Sequence, residues 1–134
     1  MGLRAALKEL CEQVSARLSA QVDLQIIDVS LPSDVQFCFY RIAQEALNNV
    51  LKHSRTGRIA VSLSRDSGLV RLRVKDSGVG FDTTQATTGI GLVSMRERLR
   101  IVRGALLVSS HPGQGTEIIA EVPFAESAEV AKAS

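Results

Sequence analysis

The stretch from Ser33 to Ser54, SDVQFCFYRIAQEALNNVLKHS, constrains the chain most, because it is long, unbroken and two-faced. At about 100° per residue, Phe39, Ala43, Ala46, Leu47 and Val50 gather into an apolar face as wide as a core-facing helix needs. Glu45, Asn49 and Lys52, at i, i+4 and i+7, fall in a narrow polar stripe on the opposite side. Such a helix has to be laid against other structure, and its stripe then presents a carboxylate, an amide and an ammonium together. The wet side of an ordinary amphipathic helix has the same pattern, so the spacing predicts the helix and only permits the chemistry.

The flanking segments supply what that helix packs on. Leu3, Leu7, Leu10, Val14 and Leu18 predict an amphipathic helix over roughly residues 3–20, and Val22 to Val29 reads as a short strand. Leu31-Pro32-Ser33-Asp34 gives a break and an N-cap, and Gly57 follows the long helix as a stop. Ile59, Val61 and Leu63 alternate with Ala60, Ser62 and Ser64, and Val70, Leu72 and Val74 alternate with Arg71, Arg73 and Lys75. With Asp66-Ser67-Gly68 between them, the two runs predict an antiparallel hairpin with one buried face. After the Gly-rich segment 76–91, Leu92, Met95, Leu99 and Val102 mark a helix that Gly104 would close in a left-handed cap. Residues 105–110 and 116–122 read as strands around a His111-Pro112-Gly113-Gln114-Gly115 turn. The order α, β, α, β, β, loop, α, β, β predicts an α/β fold, a mixed and mostly antiparallel sheet with helices on one face. Residues 1–125 form the expected domain, and the small polar stretch 126–134 an expected frayed tail.

Composition removes several classes of function. A chain of 134 residues with 45% hydrophobic and 22% charged residues suits one domain with its own core. Sixteen basic and fourteen acidic residues are spread along it for a net charge of +2, without the concentrated basic patch of a nucleic-acid binder. No Trp, one Tyr and four Phe leave few stacking platforms for single strands. No apolar run approaches the roughly 18 residues of a membrane span, so no membrane contact is expected of this domain. Cys11 and Cys38 lie in helical patterns away from any CxxC or Cys/His cluster, and are expected as reduced core residues.

Three pieces carry candidate chemistry. In the stripe, Asn49 suits magnesium, which takes oxygen ligands and keeps several waters. Glu45 is placed to orient or deprotonate a water or hydroxyl nearby, and Lys52 to neutralise phosphate. Asp76 ends a strand and is followed by Gly78 and Gly80, which let the backbone approach a flat ligand. A carboxylate there can accept from an adenine amino group, although an Asp opening an ordinary turn fits the same residues. Gly89-x-Gly91 before a helix suits an anion but is weak alone. There is no GxxxxGK[ST], and Ser94 stands where a dinucleotide fingerprint needs its third Gly, so both of those phosphate sites are excluded.

Taken jointly, EALNNVLKH (Glu45 to His53), DSGVGFD (Asp76 to Asp82), GIGLVSMRERL (Gly89 to Leu99) and GQGTEI (Gly113 to Ile118) resemble the N box, the two glycine boxes and the closing Gly-Thr motif of the GHKL ATPases. RIAQEALNNVLKHS with SMRERL is similar to the catalytic ATP-binding domain of sensor histidine kinases whose response regulators are of the LuxR or NarL type. The four motifs cover about residues 39–122 in the right order.

The resemblance implies a Bergerat two-layer sandwich binding ATP and Mg²⁺. Asn49 would hold the metal, Glu45 would be the base or water-orienting carboxylate, and Lys52 with His53 would meet the phosphates. Asp76 would take the adenine amino group with Thr116 beside it, Gly78 and Gly80 would shape the pocket floor, and Gly89, Ile90, Gly91 and Leu92 would turn backbone amides to the phosphates. Phe81 to Thr88 would be a short lid that orders on nucleotide. Asn48 would at most support Asn49, Arg96 suits a salt-linked helix surface as well as a terminal phosphate, and His111 is expected in solvent. The implied activity is transfer of the ATP γ-phosphoryl to a histidine on a separate dimerisation domain, with a response regulator as indirect partner. No acceptor helix precedes Leu3, so an isolated catalytic domain unable to autophosphorylate alone is expected, cytoplasmic, with the anchoring of its parent left open. An ATPase or anti-sigma serine kinase of the same superfamily is the alternative, and a non-catalytic nucleotide-responsive module a further one.

Overall fold

A computed structural model describes residues 2–53, 57–78 and 91–124. The elements are α1 (Leu3–Leu18), β1 (Gln21–Ile26), α2 (Ser33–His53), β2 (Arg58–Asp66), β3 (Leu69–Asp76), α3 (Leu92–Ile101), β4 (Ala105–Ser110) and β5 (Thr116–Pro123). The five strands form one sheet in the order β1-β2-β3-β5-β4. β1 pairs with β2 in parallel, as a strand–helix–strand crossover through α2 requires, and the remaining pairs are antiparallel. The expected mixed, mostly antiparallel sheet is therefore present.

Side-chain alternation assigns the faces. Ile59, Val61 and Leu63, with Val70, Leu72 and Val74, are buried on the side of the helices, joined there by Ile118, Ala120 and Val122 of β5. The predicted apolar face of α2, Phe39, Ala43, Ala46, Leu47 and Val50, is buried against them. Leu3, Leu7, Leu10 and Val14 bring α1 onto the same core, and Leu92, Met95 and Leu99 bring α3. Full burial of a large aliphatic or aromatic side chain contributes about 1.5–3 kcal/mol, so this one-sided core is the main source of stability. On the opposite face Arg71 pairs with its register partner Glu121, and Arg73 reaches diagonally to Glu117.

Three boundaries differ from the sequence pattern. α1 stops at Leu18 because Ser19 turns left-handed (φ 52°) and the Ser15 hydroxyl donates to the Ala20 carbonyl at 2.8 Å. β1 ends at Ile26, after which one more bond, from the Ile27 N–H to the Leu63 carbonyl, holds it to β2. The left-handed residue after α3 is Arg103 (φ 61°), not Gly104. The N–H of Gly104 still donates to the Leu99 carbonyl at 2.7 Å and that of Arg103 to the Arg100 carbonyl at 3.1 Å, the paired bonds of a Schellman ending. Gly104 is required for space instead: a β-carbon there would stand 2.7 Å from the Glu121 carbonyl oxygen and 2.8 Å from Leu99 Cδ2.

Candidate nucleotide site

Antiparallel pairing brings the end of β3, the start of β5 and the end of β4 into one row. Asp76 is the register partner of Thr116, and Thr116 of Ser110. Each of the three continues the core-facing parity of its strand, after Val74, before Ile118 and after Val108, but breaks the apolar chemistry. Among the described residues Asp76 (6% exposed) and Ser110 (3%) are the buried polar side chains. A buried polar group persists only with partners. Asp76 Oδ1 accepts from the Gly78 N–H at 2.8 Å, so the turn expected of Asp-Ser-Gly forms and uses part of the carboxylate. A carboxylate has about four acceptor positions, so this bond is compatible with a ligand contact.

The next turn locks onto Asp76. Gly115, with φ +80°, passes so close that a β-carbon on it would meet the Asp76 carbonyl oxygen and stand 3.1 Å from Ser77 Cα. The Ser110 hydroxyl donates to the Gly115 carbonyl at 3.2 Å and lies 2.8 Å from Thr116 Oγ1. Ser77 is tied to β2 through its N–H, which donates to the Arg58 carbonyl at 3.3 Å.

Chain connectivity sets the polar stripe of α2 at this same end of the sheet. β2 opens with Arg58, and its next residue, Ile59, is the register partner of Asp76. From His53 to Gly57 the chain spans four residue steps, about 14 Å at most, so the C-terminal turns of α2 lie near the start of β2. Glu45 and Asn49 are half-buried, Asn49 has a polar partner, and Asn48 and Lys52 are exposed. The carboxylate of Glu45 also reaches the start of α3: a β-carbon on Gly91 would stand 2.8 Å from Glu45 Cδ and 2.9 Å from Cγ. Gly91 has φ 75° and caps α3 without a side chain, leaving the first-turn N–H groups of Leu92, Val93 and Ser94 outside the helical ladder.

Thus the structure brings together Asp76, Gly78 and Thr116 in one group, and Glu45 and Gly91 in another, with Asn49 and Lys52 one and two turns along α2 from Glu45. Leu92 sends its side chain into the core, which leaves only its backbone for a ligand. His53 ends α2, and its side chain, with Gly80, Gly89, Ile90, the segment Phe81 to Thr88, Ser54 to Thr56 and the tail 126–134, lies outside the described residues. His111 is exposed. Arg96 is exposed on α3, whose ion pair joins Arg100 to Glu97 at 3.4 Å. Ser110 was not among the sequence candidates, yet a signal existed: in Leu106-x-Val108-x-Ser110 a polar residue takes a core-facing position at a strand end.

Both thiols are buried and free, as expected. Burial first, and the neighbouring Glu12 second, pushes Cys11 up to about 11. Burial also pushes Cys38 up to about 11, with Arg98 opposing and Asp34 adding. Neither thiol is poised for reaction at neutral pH. Among the described residues no helix is long and apolar enough to cross a membrane.

Similar proteins have this architecture. The histidine kinase domain of the blue-light activated histidine kinase from Erythrobacter litoralis superposes with a TM-score of 0.80 at 20% identity, covering 97% of this chain and 64% of that one. In sequence, the sensor histidine kinase MctS of Rhizobium johnstonii is 36% identical over 129 residues, 92% of this chain and 28% of that protein. The sensor histidine kinase LiaS of Bacillus subtilis is 35% identical over 124 residues, 92% of this chain and 34% of that protein. The chain thus spans about a third of the length of these relatives. Residues 34–126, which run from the first turn of α2 to just past β5 and hold every element of the site, match the family described as histidine kinase-, DNA gyrase B- and HSP90-like ATPase, and the chain belongs to that family.

Proposed function

We propose that the chain is the ATP–Mg²⁺-binding catalytic domain of a two-component sensor histidine kinase, donating the ATP γ-phosphoryl to a histidine on a separate dimerisation domain. The observation that carries this reading is the arrangement at one end of the sheet. A buried carboxylate, Asp76, is paired with Thr116, and the α2 carboxylate, Glu45, touches the N-terminal turn of α3 at Gly91. The relatives named sensor histidine kinases support the choice of phosphotransfer.

In this reading Asp76 accepts from the adenine amino group with Thr116 beside it, and Gly78 keeps the backbone close to the base. Gly80, Gly89, Ile90, Gly91 and Leu92 serve through their backbones, and Lys52 and His53 offset phosphate charge. Asn49 and Glu45 offer oxygen donors one helical turn apart, a hard-ligand set that fits magnesium sharing its coordination with phosphates and water. The metal would supply charge neutralisation on the phosphates. Glu45 orients the incoming nucleophile or removes its proton. In-line placement of the acceptor histidine requires the second domain. The response regulator is an indirect partner, and the domain acts in the cytoplasm, whether or not its parent is anchored in a membrane.

The test is a titration with ATP, with and without magnesium, repeated on Asp76→Asn, followed by mixing with a dimerising helical domain that carries an acceptor histidine. Magnesium-dependent ATP binding that Asp76→Asn weakens, and γ-label appearing on histidine, are the expected results. Free phosphate without protein label would assign hydrolysis in place of transfer. Unchanged affinity in Asp76→Asn would remove the adenine contact. Glu45→Ala should keep binding and lose transfer.

A further inference from the structure

The proposed adenine contact leaves one buried hydroxyl unused. Ser110, 3% exposed, lies 2.8 Å from Thr116 Oγ1 and 3.2 Å from the Gly115 carbonyl oxygen. A hydroxyl has a single proton, and a carbonyl only accepts. Both bonds are made together only when Ser110 donates to Gly115 and turns a lone pair to Thr116. Thr116 in turn donates to Ser110, and for any ligand Thr116 Oγ1 then has only lone pairs to offer. Its register partner Asp76, when ionised, is an acceptor as well.

We propose that Ser110 is a positioning residue for base selection: by taking the Thr116 proton it makes Asp76 and Thr116 an all-acceptor pair, matched to a purine with a 6-amino group. The inference rests on Asp76 and Thr116 being the base contacts. An exocyclic amino group has two N–H donors and satisfies both acceptors. A 6-oxo purine has only its N1–H to give one of them and turns the lone pairs of its 6-oxo oxygen on the other, and a buried acceptor facing an acceptor is left unsatisfied. Without the Ser110 hydroxyl, Thr116 can rotate its proton outward and donate to the 6-oxo oxygen. Loss of Ser110 then improves binding of a 6-oxo nucleotide while weakening ATP.

The test measures dissociation constants for ATP and inosine 5′-triphosphate by calorimetry on the full chain and on Ser110→Ala, Ser110→Cys and Ser110→Thr, with thermal melting without nucleotide as the check on folding. The ATP preference should fall at least about fivefold in Ser110→Ala and Ser110→Cys, the scale of exchanging one hydrogen bond for one unsatisfied acceptor. Ser110→Thr, which keeps the hydroxyl, should retain it. A parallel loss of affinity for both nucleotides, an unchanged ratio, or failure of both the Ala and Cys variants to fold makes Ser110 structural and overturns the proposal. Absence of ATP binding by the unmodified chain is a separate result, which overturns the ATP reading and this inference with it.

Discussion

Glu45 and Gly91 occupy adjoining space so tightly that a single β-carbon added to Gly91 would stand 2.8 Å from Glu45 Cδ. One residue belongs to the middle of α2 and the other is the cap of α3, so the contact ties the carboxylate to the one point where the segment 79–90 rejoins the described fold. Any movement of that cap reaches Glu45 directly.

Gly91→Ala should therefore do two kinds of damage. A left-handed alanine costs about 1–2 kcal/mol, and the collision displaces the Glu45 side chain. Thermal melting should drop, and phosphotransfer should fall at least about tenfold, toward the loss expected when a general base is misplaced. The double variant Gly91→Ala/Glu45→Ala recovers part of the lost stability because it opens the space, and a double-mutant cycle on melting free energies measures that coupling. Strict additivity would show that the two side chains do not meet.

Gly115→Ala acts on the other half of the site. Its φ of +80° and its contact with the Asp76 carbonyl mean that a methyl there must push β5 away from the end of β3. ATP affinity should fall together with stability, since Asp76 and Thr116 are held opposite each other by that approach. Calorimetry with ATP, against melting curves of the same variant, separates the two effects. A variant that melts lower but binds ATP normally would show that the turn is structural only.

Much of this arrangement is legible in the chain. Ile59-x-Val61-x-Leu63 and Val70-x-Leu72-x-Val74 declare their buried faces, because one side of each strand must meet the helices. The stripe of α2 shows which residues can act together, since spacing alone puts Glu45, Asn49 and Lys52 on one side. Strand order is not legible: that β3 lies between β2 and β5, with β4 outermost, depends on long-range pairing that periodicity does not encode. Gly104 illustrates a second limit. Its position after a helix suggests backbone freedom, whereas its reason is contact with Glu121 and Leu99, one of them distant in sequence. Ser110 is overlooked for a similar reason, because its role exists only once β4 lies beside β5.

Gly104→Ala is the matched control for the two site glycines. Its added methyl would meet the Glu121 carbonyl, Leu99 Cδ2 at 2.8 Å and Val122 Cγ2 at 3.0 Å. Overpacking of this kind costs about 1–3 kcal/mol, so the melting temperature should fall. Gly104 lies on the connection from α3 to β4, at the opposite end of β4 from Ser110, and ATP affinity below the melting range should stay unchanged. A weakened ATP affinity would mean that the packing of α3 on β4 and β5 transmits to the site.

The buried thiols predict how the fold responds to alkali. Cys11 and Cys38 each rise from 9.0 to about 11, chiefly through burial, so the folded chain holds these two protons more tightly than the unfolded chain does. For an acid raised in this way the contribution to stability is complete below the unfolded value and is lost as pH rises through the folded one. Stability should therefore fall between 9.0 and about 11. Denaturant melts across that window should show a steeper loss for the unmodified chain than for Cys11→Ala/Cys38→Ala, which lacks both groups. Equal slopes would show that the thiols contribute nothing, and rapid alkylation of the folded chain at neutral pH would contradict their burial.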